Sequence, residues 1–483
     1  MTATFDNPKS TGRGFIGVIL LIALALRLGW ALSRPVSPDV IESLPDQQQY
    51  LQIAQNVLNR QGYWFLDPRV RDRVYAFRTP GYPLFVAACG ANVRIVRGVQ
   101  AVIDASTVAA IYWLGMLLFP AASRRSHSRT QIGGAQEFPP PVLRGRVREG
   151  VRESDVGSTQ PPPQPSPGVP GEGEDVPRPR PSSHNSGPLI AALLVAFNPF
   201  LLYFCGLILS ETLFTSMLVW GMAMLVAGKG DGVRKPRTLL WLAGGLTLAL
   251  SVLVRPSAVL MPLVLGIGSM FVNRAPQGSY QLRWPLPVGA TMLLLTGLVL
   301  APWAIRNHQV LGQWVLLETN SGFTLYDGYN PDATGASNQR FVMQMPQLSR
   351  MSEIERSRYL EELAFDAARK NPRRTIDLAR AKLVRTWSPM PLSDQYSGKM
   401  YQLIGLCYSL PLDLLVLWGL ASGNLSRGAK VLVLLPAIYL SGVHMLTVGS
   451  LRYRIPAEPP LALLAACALV NVRTPARMKN ENS

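Results

Sequence analysis

Residues 188–228 read PLIAALLVAFNPFLLYFCGLILSETLFTSMLVWGMAMLVAG, an apolar stretch whose only charged residue is Glu211. About 18 to 20 apolar residues are what one helix needs to cross a bilayer, so the stretch holds two helices joined at the polar hinge Ser210-Glu211. The same reading, carried outward, finds ten apolar runs: 15–32, 98–119, 188–205, 209–228, 238–254, 257–272, 285–303, 402–420, 431–448 and 456–471. The expected fold is an all-α polytopic membrane protein of about ten transmembrane helices, with interfacial helices in two long outer loops.

Composition agrees once it is resolved along the chain. The 483 residues are 48% hydrophobic and 16% charged, with a net charge of +18. Such a charge first suggests nucleic acid or an anionic membrane surface. The basic residues are patchy, however, and no nucleic acid partner is expected. The four histidines (127, 184, 308 and 444) are too far apart for a metal site along one helix. The four cysteines form no CxxC pair, so neither a disulfide framework nor a zinc knuckle fits. His308 and His444 read as structural.

Orientation follows from the short basic loops. With the N-terminus inside, the pieces 1–14, 228–237, 273–284, 421–430 and 471–483 carry thirteen Lys and Arg against Asp6, Asp231 and Glu481. The chain then divides into 1–120 (anchor helix, catalytic outer loop, second span), an insert at 121–187, a helix bundle at 188–303, an outer loop with interfacial helices at 304–401, and C-terminal helices with a cytoplasmic tail at 402–483. The insert holds nine Arg, seven acids and a dense run of prolines. Such a composition cannot bury enough surface to fold, so it is expected to be a disordered cytoplasmic insertion.

The outer segments carry the chemistry. In Pro45-Asp46-Gln-Gln-Gln-Tyr50-Leu-Gln-Ile53-Ala54-Gln-Asn-Val57-Leu58, the positions 50, 53, 54, 57 and 58 form an amphipathic stripe. Gly62 is the expected C-cap, and Asp46 reads either as an N-cap or as a functional carboxylate. An aromatic re-entry follows: Tyr75-Ala-Phe77-Arg78-Thr79-Pro80-Gly81-Tyr82-Pro83. Residues 352–387 read as two helices broken at Asn371-Pro372. The second is basic and amphipathic, as suits a helix in the headgroup region. Arginines beside spans on the outer face run against the positive-inside bias. Arg78, Arg255, Arg452 and Arg454 are therefore either phosphate ligands or snorkelling anchors. Glu211 reads as an N-cap or a partner for one of them. Asp104, inside a span, should bond to a neighbouring helix or to Arg27.

Taken together, the anchor helix, the Asp46-x3-Tyr50-x3-Ala54 pattern and Arg78-Thr79-Pro80-Gly81-Tyr82-Pro83 resemble the glycosyltransferases of the GT-C superfamily, and most closely family 39. That family includes the protein O-mannosyltransferases and the lipid A aminoarabinose transferases. The likeness continues through Ser210-Glu211, Arg255-Pro256, Pro302-Trp303-Ala-Ile-Arg306-Asn307, Thr319-Asn320-Ser321-Gly322 to Pro331, and Arg452-Tyr453-Arg454-Ile455-Pro456. It departs at Asp46-Gln47, where most members carry Asp-Glu.

The resemblance implies an inverting transfer of a sugar from a polyprenyl-phosphate donor to a hydroxyl or phosphate acceptor on a protein, lipid or glycolipid. The reaction would take place on the periplasmic or exterior face of a bacterial inner membrane. It implies Asp46 as general base, Arg78, Arg255, Arg452 and Arg454 on the donor phosphate, and Tyr50, Tyr82, Glu211, Asn320 and Asn330 as substrate-positioning residues. One carboxylate base suffices because the leaving lipid phosphate needs no strong acid, unlike the paired carboxylates of hydrolases. No organic cofactor is expected. Asp46 without an adjoining acid argues against a tightly held metal, and leaves a weakly bound divalent cation open. A lipid flippase or transporter is the alternative. It calls for mid-membrane ionisable residues and internal repeats, yet only Arg27 and Asp104 lie well inside spans and no repeat is visible. A nonenzymatic scaffold docking through the insert is a third reading.

Overall fold

In a computed structural model, the described residues are 9–42, 44–119, 186–229, 237–272, 288–392, 396, 398–422 and 424–472. The expected disordered insert lies outside them, apart from its last two residues.

In chain order, α1 (Lys9–Ser33) and a short α2 (Pro38–Glu42) lead into α3 (Pro45–Leu58). A hairpin of β1 (Phe65–Asp67) and β2 (Asp72–Val74) follows, then α4 (Gly81–Ala88) and α5 (Val93–Leu118). After the insert come α6 (Ser186–Ala196), α7 (Pro199–Cys205), α8 (Glu211–Gly228), α9 (Thr238–Val254), α10 (Met261–Met270) and α11 (Val288–Leu311). The second outer segment folds as α12 (Asn320–Asp327), α13 (Phe341–Gln344), α14 (Glu353–Lys370) and α15 (Pro372–Trp387). The chain returns through α16 (Lys399–Ala421), α17 (Arg427–Leu446) and α18 (Glu458–Val472).

Each of the ten apolar runs has its helix. Among the described residues, six helices are long and apolar enough to cross a membrane, and α6 with α7 passes the same test as a pair bent by 49°. The other three, α9, α10 and α18, are shorter than 18 residues. Leu239, Leu298 and Leu417 are largely exposed, as lipid-facing side chains are.

The break between α6 and α7 has a chemical cause. Pro199 has no N–H to give to the carbonyl of Val195. Arg27 supplies the donor instead, bonding Val195 O at 3.0 Å and Ala196 O at 2.9 Å, while its Nε reaches Asp104 at 2.5 Å. Arg27 and Asp104 are both fully buried, so α1, α5 and α6 are tied by one paired charge.

Above the bundle sits a lobe whose core joins Phe65, Phe77, Phe323, Tyr326, Phe341 and Leu360. The β-hairpin at its base pairs Phe65 with Val74 in antiparallel register, an element the sequence did not suggest. α14 opens with a capping box between Ser352 and Glu355, and the chain breaks at Asn371-Pro372, where Asn371 caps Arg374 N. Glu353 on α14 accepts from Tyr75 N at 2.6 Å and Ala76 N at 2.9 Å, fixing the aromatic re-entry.

Two boundaries differ from expectation. α3 stops at Leu58, and Gly62 (φ 94°) serves a left-handed turn beyond it. α11 runs through Pro302 to Leu311, because a proline ring kinks a helix without having to end it. The Trp303 and Asn307 side chains then take Leu317 O at 2.7 Å and Val315 O at 2.9 Å. The returning chain is thereby folded back onto the helix end.

Candidate active site

Asp46 is the second residue of α3, after Pro45, and the N-cap is Leu44 with no side-chain cap bond. Glu211 likewise opens α8 after Ser210, again with no side-chain cap bond. Both carboxylates face arginines instead. Arg78 binds Asp46 Oδ1, and Arg452 Nη1 binds Asp46 Oδ2 at 2.9 Å. The Nε of Arg452 binds Glu211 Oε1, which Arg255 Nη1 approaches at 3.5 Å. The result is an unbroken chain, Arg78–Asp46–Arg452–Glu211–Arg255, drawn from five separate segments.

Packing holds each member in place. Arg78 also bonds Gln49 Oε1 through Nε at 2.9 Å and lies over the Tyr50 ring. Arg255 sits between Phe214 and Tyr453, and His444 stacks on the Tyr453 ring at 3.8 Å. Gly81 permits the approach of the re-entry to α9: a Cβ there would lie 2.7 Å from the backbone of Leu253, two residues before Arg255. Burial opposes ionisation of Asp46, but Arg78 and Arg452 win and hold its carboxyl well below the usual carboxylate range. The Asp46 side chain remains 25% exposed. Among three guanidiniums and two carboxylates one positive charge is left over, which suits an anionic ligand.

The other residues singled out from sequence fall into two groups. Tyr50 packs edge-on against Tyr82 at 4.7 Å and borders the cluster. Asn320 is buried and bonds to Glu318 beside it. Tyr82, in contrast, is spent on Gln100, its hydroxyl fully buried at 2.5 Å from Oε1. Asn330 closes its own turn, bonding Asp327 O and Asp332 N away from the cluster. Arg454 is buried and bonded to Glu458 at 3.0 Å, to Ser409 and to Ser388 O. The structure thus brings together Asp46, Arg78, Arg255, Arg452, Glu211, Tyr50 and Asn320, and leaves Tyr82, Asn330 and Arg454 as struts.

At the departure from Asp-Glu, Gln47 Oε1 accepts from Ile208 N at 2.9 Å, bracing the hinge that presents Glu211, and its Nε2 donates to Ile41 O at 3.4 Å, which a glutamate could not do. The residue missed from sequence is Glu318, the only acid between 304 and 326. It lies within electrostatic reach of Asp46, Arg78 and Arg255. Its position immediately before Thr319-Asn320-Ser321-Gly322 was the available signal. Among the described residues, no group of three His, Cys, Asp or Glu is placed to hold a metal ion.

Helices, lobe and cluster together define a helical polytopic membrane protein with a charged cluster where its outer segments meet the helix bundle. No protein-family model matches the chain, and no curated protein matches it. Solved structures do. The oligosaccharyltransferase of Archaeoglobus fulgidus, tethered with an acceptor peptide containing the NVT sequon, aligns at a TM-score of 0.50 and 11% identity over 95% of this chain and 49% of its own. The same organism's oligosaccharyltransferase AglB, in complex with an inhibitory peptide and a dolichol-phosphate, aligns at 0.46 and 10% over 96% and 50%. ArnT from Cupriavidus metallidurans, bound to undecaprenyl phosphate, aligns at 0.36 and 12% over 94% and 78%. The chain spans about half the length of the oligosaccharyltransferases. At such identities the likeness is one of fold.

Proposed function

We propose that this chain is a membrane glycosyltransferase that moves a sugar from a polyprenyl-phosphate donor to a hydroxyl or phosphate acceptor, with inversion, on the periplasmic or exterior face of a bacterial inner membrane. The observation that carries this reading is the Arg78–Asp46–Arg452–Glu211–Arg255 chain, whose arginines exceed its carboxylates. Arginine forks match phosphate oxygens well. A site this basic, next to lipid-facing helices, suits a phosphate carried on a lipid.

Asp46 is the base. Its ionised state is secured by Arg78 and Arg452, at the cost of basicity. A donor phosphate that shares those two guanidiniums loosens their grip on Asp46, so that proton affinity rises as the donor seats. The acceptor oxygen then attacks the anomeric carbon from the side opposite the phosphate. Arg255 and Glu211 hold Arg452 in register throughout.

The test compares lipid-linked sugars and finished glycans in cells carrying wild type and Asp46→Asn. A positioned base contributes about 100-fold or more to rate, so the variant should accumulate lipid-linked sugar and lose the product. Full transfer by Asp46→Asn would sink the assignment of the base.

A further inference from the structure

Glu318 is held from both sides. Trp303 Nε1 takes the carbonyl of Leu317 at 2.7 Å, and Thr319 N donates to Ala76 O at 2.9 Å. Ala76 precedes Arg78 by two residues, so this clamp sets Glu318 beside the arm that carries the arginine. Its carboxyl accepts a bond from Asn320 and, among the described residues, forms no ion pair. The charged groups facing it are Arg78, Asp46 and Arg255, with the Tyr63 ring close by. Tyr63 is itself fixed, its hydroxyl donating to Arg78 O at 2.8 Å.

Resting on the glycosyl-transfer reading above but adding a second carboxyl to its single base, we propose that Glu318 is the acid of this site, donating to the leaving lipid phosphate while Asp46 takes the acceptor's proton. That phosphate needs no strong acid, and a weak one is what Glu318 supplies. The acceptor oxygen forms its bond to the anomeric carbon with its own lone pair. The bond from that carbon to the phosphate oxygen breaks, and the electron pair leaves on the phosphate. The Glu318 proton goes to that oxygen and the acceptor's proton goes to Asp46. The lipid departs as a singly protonated phosphate. Solvent then removes the proton from Asp46 and returns one to Glu318, so the cycle closes with no net change in the protein.

The environments of the two carboxyls fit this division. Burial pushes Glu318 up to about 7 against the pull of Arg78, with help from the charge of Asp46. Asp46 is held in the opposite direction. Two carboxyls driven apart in this way mark an acid and a base. A protonated Glu318 also spares the incoming phosphate a third negative neighbour.

The test uses undecaprenyl phosphate alone, so it does not depend on knowing the sugar. Its binding to the purified full chain in lipid nanodiscs is measured from about pH 6 to about pH 8.5 for wild type, Glu318→Gln and Glu318→Asp. One linked proton changes affinity by up to tenfold per pH unit above its pKa. Wild-type affinity should therefore fall by up to about 30-fold relative to Glu318→Gln across that range, and Glu318→Asp should restore a pH-dependent profile. Parallel curves for wild type and Glu318→Gln, with both binding, would overturn the role of Glu318 and leave the transfer reading standing. Absence of wild-type binding at every pH would remove the polyprenyl-phosphate reading and this proposal with it.

Discussion

Arg452 donates through Nη1 to Asp46 Oδ2 at 2.9 Å across 406 positions of the chain, and its Nε serves Glu211 at the same time. One guanidinium thus keeps two carboxylates from α3 and α8 apart and oriented. A lysine offers a single charged nitrogen on a flexible stem and cannot reproduce the fork. Arg452→Ala and Arg452→Lys should both lower sugar transfer about 100-fold or more. The alanine variant should also melt earlier, because Asp46 and Glu211 would each lose a guanidinium and keep only Arg78 and Arg255 respectively. Transfer assays and thermal melts in detergent check this, and an active Arg452→Lys would argue against the fork.

The pH dependence of stability should carry the mark of Glu318. Its folded pKa is raised from 4.5 to about 7. Between those values the folded chain binds more protons than the unfolded one, so stability falls as pH rises. Asp46 is shifted the other way from 3.8. Its contribution is intact above that value and is lost only in more acid solution, so it does not compete in this window. Melting temperature of the ligand-free protein should therefore drop from about pH 5 to about pH 8 more steeply in wild type than in Glu318→Gln. Equal slopes would count against a proton held there.

The buried Arg27–Asp104 pair should behave as a structural tie. Arg27→Met leaves Asp104 unpaired and takes the guanidinium donors from the carbonyls of Val195 and Ala196. Breaking one side of such a pair costs about 3–5 kcal/mol. Arg27→Met with Asp104→Leu should recover part of that loss, and only part, since Ala196 O loses the Arg27 donor and Val195 O keeps only Asn198 N at 3.3 Å. Detergent unfolding curves of the single and double variants decide it; full recovery would show that the carbonyl bonds contribute nothing.

Gly81→Ala tests the closeness of the re-entry to α9. The added methyl would lie 2.7 Å from the Leu253 backbone. Overpacking of this kind costs about 1–3 kcal/mol. The shift should also draw Arg78 away from Arg255, so transfer should fall even where the protein still inserts and folds. A Gly81→Ala protein with wild-type activity would show that the spacing of the two arginines is loose.

Much of this architecture was legible from residues in order. The ten apolar runs, the hinge at Glu211, the break at Asn371-Pro372 and the need of Asp104 for a partner on a neighbouring helix or at Arg27 all follow from local chemistry: helix length, proline's missing donor, and the cost of a lone charge in lipid. The four outer arginines were visible together because positive-inside bias makes them conspicuous.

Their roles were not visible, because periodicity says which residues are buried and not which partners they meet. Arg454 and Arg452 are two positions apart, yet one is spent on Glu458 and the other joins Asp46 to Glu211. Tyr82 and Tyr50 share a motif-rich loop region, but Tyr82 is bound to Gln100. Glu318 has only its place before Thr319-Asn320-Ser321-Gly322 to mark it. It enters the site only because Trp303 and Ala76 fold its segment back from the end of α11. The sequence by itself determined a many-helix membrane protein with its polar chemistry gathered on one face. Only the tertiary structure decided which charges meet, because ion pairing depends on ångström separations between segments as much as 406 residues apart, and a linear pattern carries no such distances.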